Sequence, residues 1–280
     1  MQTTVAATSL APAFRLMPDA SERQEERGSM QVVILSPHRD DAAFSCGLLL
    51  ARLLQAGHSL CIANVCTISS YAPYLAVGEG DRAQQVTKAR REEDVRFADR
   101  LVTGANSASS VRRIDLDWQD LPLRWQKDDS ASLAPSSLRP REVEALEEAL
   151  RGLPSADIIL CPKALGGHLD HRLVCRAAQR VFQASSMVFY EDLPYACGKL
   201  AKSSSELGDL DGFEEVWLGT KNVEPRLKRD LCLSYPSQID EAAAAAMEHY
   251  GQLHGGERFL ALPGTLQRLR SALAGVGVVA

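Results

Sequence analysis

Residues Gln31–Gly57 read QVVILSPHRDDAAFSCGLLLARLLQAG, and this stretch decides the fold. Gln31–Ser36 is a short β-branched apolar run stopped by Pro37. Such a run, apolar at four successive positions, predicts a strand buried on both faces. Phe44–Gln55 carries Leu48, Leu49, Leu50, Leu53 and Leu54 and closes at Gly57, which predicts a helix with a glycine stop. Strand, turn and helix in so few residues is the opening unit of an alternating α/β chain. The turn between them holds His38, Arg39, Asp40 and Asp41.

The alternation continues outward. His58–Ile68 is a second apolar strand, residues 69–81 are a loop, and 82–102 have helical spacing. A strand is predicted over Val111–Leu116, irregular chain over 117–140, and an amphipathic helix over Arg141–Arg151. Strands at Asp157–Cys161, Met187–Tyr190 and Glu214–Leu218 and a helix at Asp170–Ala184 follow, with helices near 223–235 and 238–253. Alternating strands and helices predict a mostly parallel sheet with helices on both faces. In such sheets ligands bind beyond the carboxyl ends of the strands. Two histidine-bearing turns, Ser36-Pro37-His38 and Gly166-Gly167-His168, fall on that same edge.

Imidazole and carboxylate together suit zinc, whose catalytic sites keep three protein ligands and one open position. His38 and Asp41 are three residues apart, as are His168 and His171. Either turn alone also reads as the capped start of a helix. The adjacent carboxylates of Asp40 and Asp41, at the end of an apolar strand, call for a cation, because two like charges at a low-dielectric edge repel.

Composition narrows the class. The chain has 280 residues, 45% of them hydrophobic, enough for a sizeable core, and a formal net charge of −5. An acidic balance argues against a nucleic-acid partner, which needs clustered cations. Seven cysteines without a C-x-x-C read as buried thiols of a reducing compartment, so a cytoplasmic location is expected. No stretch is long and apolar enough for a transmembrane helix. Residues 1–30 read as a mobile extension and 31–280 as a single domain. A homo-oligomer is compatible with all of this.

Ser36–Gly47 (SPHRDDAAFSCG) and Gly166–Val174 (GGHLDHRLV) resemble the two signature blocks of the PIG-L/LmbE-like zinc-dependent N-deacetylases. The resemblance runs from about residue 31 to 240. Looser matches lie at Arg90–Glu93, Asp120–Arg124, Tyr190–Tyr195, and from Lys228 through Tyr235 to Gln238. It implies a Rossmann-like fold with the zinc site at the carboxyl edge of the strands. It further implies His38, Asp41 and His171 as ligands of one Zn2+ or another divalent transition metal, and Asp40 as general base. His168, in its protonated form, is expected to support the oxyanion, with Asp170 orienting a ligand histidine. Asp40 or His168 would then protonate the leaving amine. Arg90, Arg91, Asp120, Arg124, Glu191 and Asp192 are the expected substrate contacts, and Tyr71, Tyr74, Trp118 and Trp125 are candidates for the pocket wall. Two positions depart from the commonest family pattern: Arg39 stands where Pro is usual, and Ala42 where Glu is usual, although a subgroup with S-P-H-x-D-D-A exists. The implied substrate is an N-acetylglucosamine-type sugar or glycoconjugate. The alternatives are a de-N-acylase of a natural-product or antibiotic precursor, and a non-catalytic sugar-binding homologue. A nucleotide-binding protein would need a glycine-rich turn where this chain has His38–Asp41.

Overall fold

The computed structural model describes residues 28–125, 137–197, 211–220, 226–276 and 278–279. The expectation for residues 1–30 falls, up to residue 27, outside the described residues, as does the side chain of Trp125. One sheet runs through the molecule. Its strands are β1 (Gln31–Ser36), β2 (Ser59–Ile68), β3 (Ser110–Gln119), β4 (Ile158–Pro162), β5 (Met187–Tyr190), β6 (Glu214–Thr220), β7 (Glu257–Ala261) and β8 (Val278–Val279). The spatial order is β3-β2-β1-β4-β5-β7-β6-β8. The first five are parallel; β7 pairs antiparallel with β5, and β6 antiparallel with β7 and β8.

The alternating side chains of β1 explain its unbroken apolar sequence. Val32 and Ile34 enter one core cluster, Val33 and Leu35 the other, one on each face of the sheet. The helices α1 (Asp41–Gln55), α2 (Arg82–Val102), α3 (Leu121–Trp125), α4 (Pro140–Arg151), α5 (Leu169–Val181), α6 (Leu227–Cys232), α7 (Glu241–His254) and α8 (Pro263–Ala272) surround it. With β1 central in the order 3-2-1-4-5, the chain leaves β1 toward β2 on one side, and β4 lies on the other. That reversal opens a crevice at the carboxyl ends of β1 and β4, the usual ligand position in doubly wound sheets.

Several boundaries differ from the sequence expectation. α1 begins at Asp41, so the acidic pair forms its N-terminus. Residues 117–119 continue β3 past a bulge opposite Cys66, with Asp117 at φ 55°. Residues 121–125 form a helical turn, with Pro122 in the first-turn position where a missing N–H costs nothing. The expected helices near 223–235 and 238–253 are Leu227–Cys232 and Glu241–His254. β7 and α8 have no counterpart in the expectation; β7 is short and its first two residues are charged, which hides its period.

α1 is anchored by an ion pair buried in the core. Lys228 Nζ lies 2.5 Å from Glu257 Oε1 and 3.3 Å from the Ala43 carbonyl. Glu257 accepts the N–H groups of Leu48 and Leu49 at 3.0 and 2.9 Å. These donors sit mid-helix, where carbonyls four residues back are the usual acceptors. The pair therefore ties the helix that carries Asp41 to β7 and α6.

Candidate metal centre and active site

The turn after β1 is shaped by Ser36. Its hydroxyl donates to the His38 carbonyl at 2.5 Å and accepts the Ala42 N–H at 3.1 Å, while Asp41 Oδ2 accepts the His38 N–H at 2.7 Å. The turn after β4 passes through Ala164 and Gly166, both at positive φ, and His168 caps α5. β1 and β4 are hydrogen-bonded neighbours, so the two turns face each other.

His38 Nδ1 lies 3.2 Å from Asp41 Oδ2, and His171 Nε2 lies 3.3 Å from the same oxygen. The ligand atoms of His38, Asp41 and His171 all fall within 4.8 Å of one another. His171 Nε2 is buried with no hydrogen-bond partner, although its ring is fixed by a 2.6 Å bond from Nδ1 to Asp192 Oδ1. A buried ring nitrogen aimed at a carboxylate and another imidazole, with nothing satisfying it, fits a cation between them. His38, His168 and Asp170 also lie within that distance. In that second set Asp170 is spent: its oxygens take His38 Nε2 at 3.0 Å, the Leu121 N–H at 3.0 Å and Arg124 at 2.5 Å. The first set is the one that contains a ring nitrogen without a hydrogen-bond partner, His171 Nε2.

Charge explains how the metal-free cluster holds together. Burial works against a charged His38, yet hydrogen bonds and charge from Asp170 and Asp41 outweigh it and raise the imidazole to about 10. Burial would raise Asp41, but the charge of His171 and the hydrogen bond of His38 bring it to about 2. His171 is raised as well, Asp41 and Asp192 overcoming burial. His168 behaves oppositely: burial, then His38 and His171, lower it to about 3. Geometry agrees, because His168 Nδ1 accepts the Asp170 N–H at 3.2 Å and so carries no proton. Against the expectation of a protonated His168, this arrangement favours a neutral ring with its proton on Nε2.

Asp40 stands beside this set. Arg90 donates to its Oδ1 at 2.6 Å, and no described residue bonds Oδ2. The expected substrate contacts are otherwise engaged with the protein. Arg90 is buried and also reaches Ser69 Oγ at 3.2 Å; Arg91 is solvent-exposed, 3.6 Å from Asp115. Asp120 is buried, accepts from the Ser69 hydroxyl and begins α3. Arg124 holds Asp170, and Glu191 accepts from Tyr250 at 2.9 Å and Arg258 at 3.0 Å. Asp192 is 0% exposed and bonds His171 and the Leu165 N–H, so it fixes the His171 ring and is out of a substrate's reach. Tyr71 and Tyr74 are exposed, and Trp118 packs against the core.

Two groups escaped the sequence reading. Arg39 is buried, donating to Asp115 at 2.8 and 2.7 Å and to Asp94 at 3.3 Å; Asp94 also accepts from Tyr235 at 3.0 Å. The departure from Pro thus has its counter-charges inside the fold. Tyr195 packs its ring beside His168 and His171. Its place in the block Tyr190–Tyr195, on the edge already assigned to ligands, was the available signal.

The chain is 36% identical over 185 residues to a 2'-N-acetylparomamine deacetylase of Streptomyces fradiae, an alignment spanning 64% of this chain and 62% of that protein. Its fold is shared with a teicoplanin deacetylase solved in a zinc-inhibited form, at a TM-score of 0.60 and 23% identity, over 82% of this chain and 97% of that one. It is shared too with an N,N'-diacetylchitobiose deacetylase of Pyrococcus horikoshii, at a TM-score of 0.51 and 17% identity, over 91% and 97%. The family model described as PIG-L, GlcNAc-PI de-N-acetylase, matches residues 33–182, which include both histidine turns. That match covers more than half of the sequence, and the chain belongs to the PIG-L family.

Proposed function

We propose that this chain is a metal-dependent amide hydrolase that removes an acetyl group from the amine of an N-acetylglucosamine-type sugar, with residues 31–280 as its single domain. The observation that carries the reading is the partnerless, buried Nε2 of His171 facing Asp41 and His38, with Asp40 next in sequence to Asp41. His38 Nδ1, Asp41 and His171 Nε2 would hold one zinc, for which two imidazoles and a carboxylate are a fitting donor set. Bound there, zinc makes water acidic enough to act as a nucleophile at neutral pH and polarises a carbonyl oxygen.

The chain's own groups do the rest. Asp40 accepts the proton of the attacking water at Oδ2, while Arg90 fixes the other oxygen. Neutral His168 donates its Nε2–H to the acyl oxygen as negative charge develops on it. Because His168 has no further proton to give, Asp40 passes the proton it gained to the leaving amine. Asp170 and Asp192 keep His38 and His171 in register.

The likeness to the Streptomyces fradiae protein favours a narrower substrate within this class, 2'-N-acetylparomamine or a similar acetylated amine. The test is chelation of the purified protein, reconstitution with one equivalent of zinc, and acetate release from N-acetylglucosamine, diacetylchitobiose and 2'-N-acetylparomamine. Release is expected only after reconstitution, fastest with the last substrate, and is expected to vanish in Asp40→Asn with zinc retained. Zinc bound stoichiometrically by His38→Ala or His171→Ala protein would refute the ligand assignment.

A further inference from the structure

The steps above leave one aromatic side chain of the site unused. Tyr195 opens a short helical turn, Tyr195–Cys197, that packs against the Leu165–Gly167 turn preceding His168. Its ring meets His171 edge-on, centroids 5.6 Å apart at 89°, and lies 6.4 Å from His168 at 37°. The backbone makes room for it. Gly166 sits at φ +82°, and a Cβ there would lie 2.7 Å from Tyr195 Cγ. The ring thus occupies the space of a side chain at 166, and glycine serves both the left-handed conformation and the close approach.

The hydroxyl is the informative part. The residue is half-buried, and no described residue accepts a hydrogen bond from it. A tyrosine holds its proton at neutral pH. Burial, followed by the charges of Asp41, Asp40, Asp192 and Asp170, holds it more firmly here. Asp192 is taken up by His171 and the Leu165 N–H and Asp170 by His38, Arg124 and the Leu121 N–H, while Asp40 bonds Arg90 through Oδ1 and keeps Oδ2 for the water's proton. A donor beside the ligand histidines, without an acceptor in the protein, is arranged for one that arrives with the substrate.

We propose that Tyr195 is a catalytic residue of the deacetylation, its phenolic O–H donating to the acyl oxygen of the bound acetamide together with His168 Nε2–H. No bond of the tyrosine breaks. The amide carbon gains the water oxygen, the C–N bond breaks, and the water's proton travels through Asp40 to the amine, while Tyr195 and His168 only share the charge on the acyl oxygen. The inference rests on the deacetylase reading of this site.

The test is Tyr195→Phe in the zinc-reconstituted protein, with metal content and circular dichroism confirming an intact site. Removing one such donor lowers turnover by on the order of 10²-fold. That loss is expected in kcat, with KM within about threefold. A methylphosphonamidate analogue of the substrate should lose affinity by the same factor, since it copies the tetrahedral charge, while the amine product should bind as before. Wild-type kcat in Tyr195→Phe, or a loss confined to KM, overturns the proposal alone. A wild-type protein that releases no acetate from any N-acetyl sugar overturns the deacetylase reading with it.

Discussion

Asp192→Asn keeps the size of the side chain and removes what the site needs from it. Asp192 accepts twice, from His171 Nδ1 at 2.6 Å and from the Leu165 N–H at 3.0 Å, in a place with no water access. Asparagine has one acceptor and one donor end. If its oxygen faces Leu165, its NH2 faces His171 Nδ1, which must give up its proton. The proton then moves to Nε2 and blocks the atom that would bind metal. If the oxygen faces His171, the NH2 meets the Leu165 N–H, and a buried donor goes unpaired at a cost of about 1–3 kcal/mol. Either way the ligand loses a carboxylate that raises its basicity. Losing such a partner typically weakens metal binding by about 10–100-fold, and the donor clash argues for the upper half of that range. Competition of the apo protein with a chromophoric chelator for zinc measures it, with Asp120→Asn as a control that touches no ligand. Zinc affinity within twofold of wild type in Asp192→Asn would show that His171 is not held for metal by this carboxylate.

Three further outcomes are expected. Glu257→Ala should lower stability in urea by about 3–5 kcal/mol, the usual cost of leaving a buried charge unpaired, because Lys228 and the Leu48 and Leu49 N–H groups lose their acceptor together; a loss under about 1 kcal/mol would contradict that. Arg39→Met should cost about 3 kcal/mol at pH 7, the low end for a buried pair, since Asp115 keeps 23% of its side chain exposed. The third concerns acid. Burial would raise Asp115, but Arg39 prevails and holds it below the usual 3.8. A depressed carboxylate contributes stability above its unfolded value and loses it as pH falls through the folded one. The gap between wild type and Arg39→Met should therefore narrow below pH 3.8 and stay constant from pH 5 to 7; a gap independent of pH down to 2 would assign the cost to lost packing.

Much of the parallel half of the sheet was legible because β1, β2, β4 and β5 are buried on both faces and so read as mainly apolar runs. β1 and β4 are of this kind, and their ends fixed the edge on which both histidine turns lie. The antiparallel half was harder: β7 opens with Glu257 and Arg258, whose partners Lys228 and Glu191 are distant in sequence. The site divides the same way. Residue type and spacing singled out His38, Asp41, His168 and His171, but spacing cannot tell a side chain that reaches substrate from one that holds a neighbour. Arg124, Asp192 and Glu191 lie on the right edge, yet each is taken up by a residue far along the chain, and that pairing exists only in the folded state. Arg39 looked like a simple departure from Pro until Asp94 and Asp115 converged on it.

These buried pairings share one purpose, seen in the charge balance. Asp40, Asp41, Asp120, Asp170 and Asp192 are all nearly inaccessible, and among the described residues two guanidinium groups, those of Arg90 and Arg124, each bond directly to one of them. Five carboxylates against two cations leave a deficit that a low-dielectric pocket does not tolerate. The facing carboxylates favour protons on the rings of His38 and His171, which would offset two of these charges. A dication between those rings supplies the same two charges without the protons, which frees both nitrogens to act as ligands. Arg90 and Arg124 are placed so that this exchange is the only adjustment: each is tied to a carboxylate, Asp40 or Asp170, outside the ligand set. The acidic pair that looked costly in the sequence is thus suited to the metal proposed for the site. Arg90 and Arg124, expected from the resemblance to contact substrate, instead offset two of the five carboxylates.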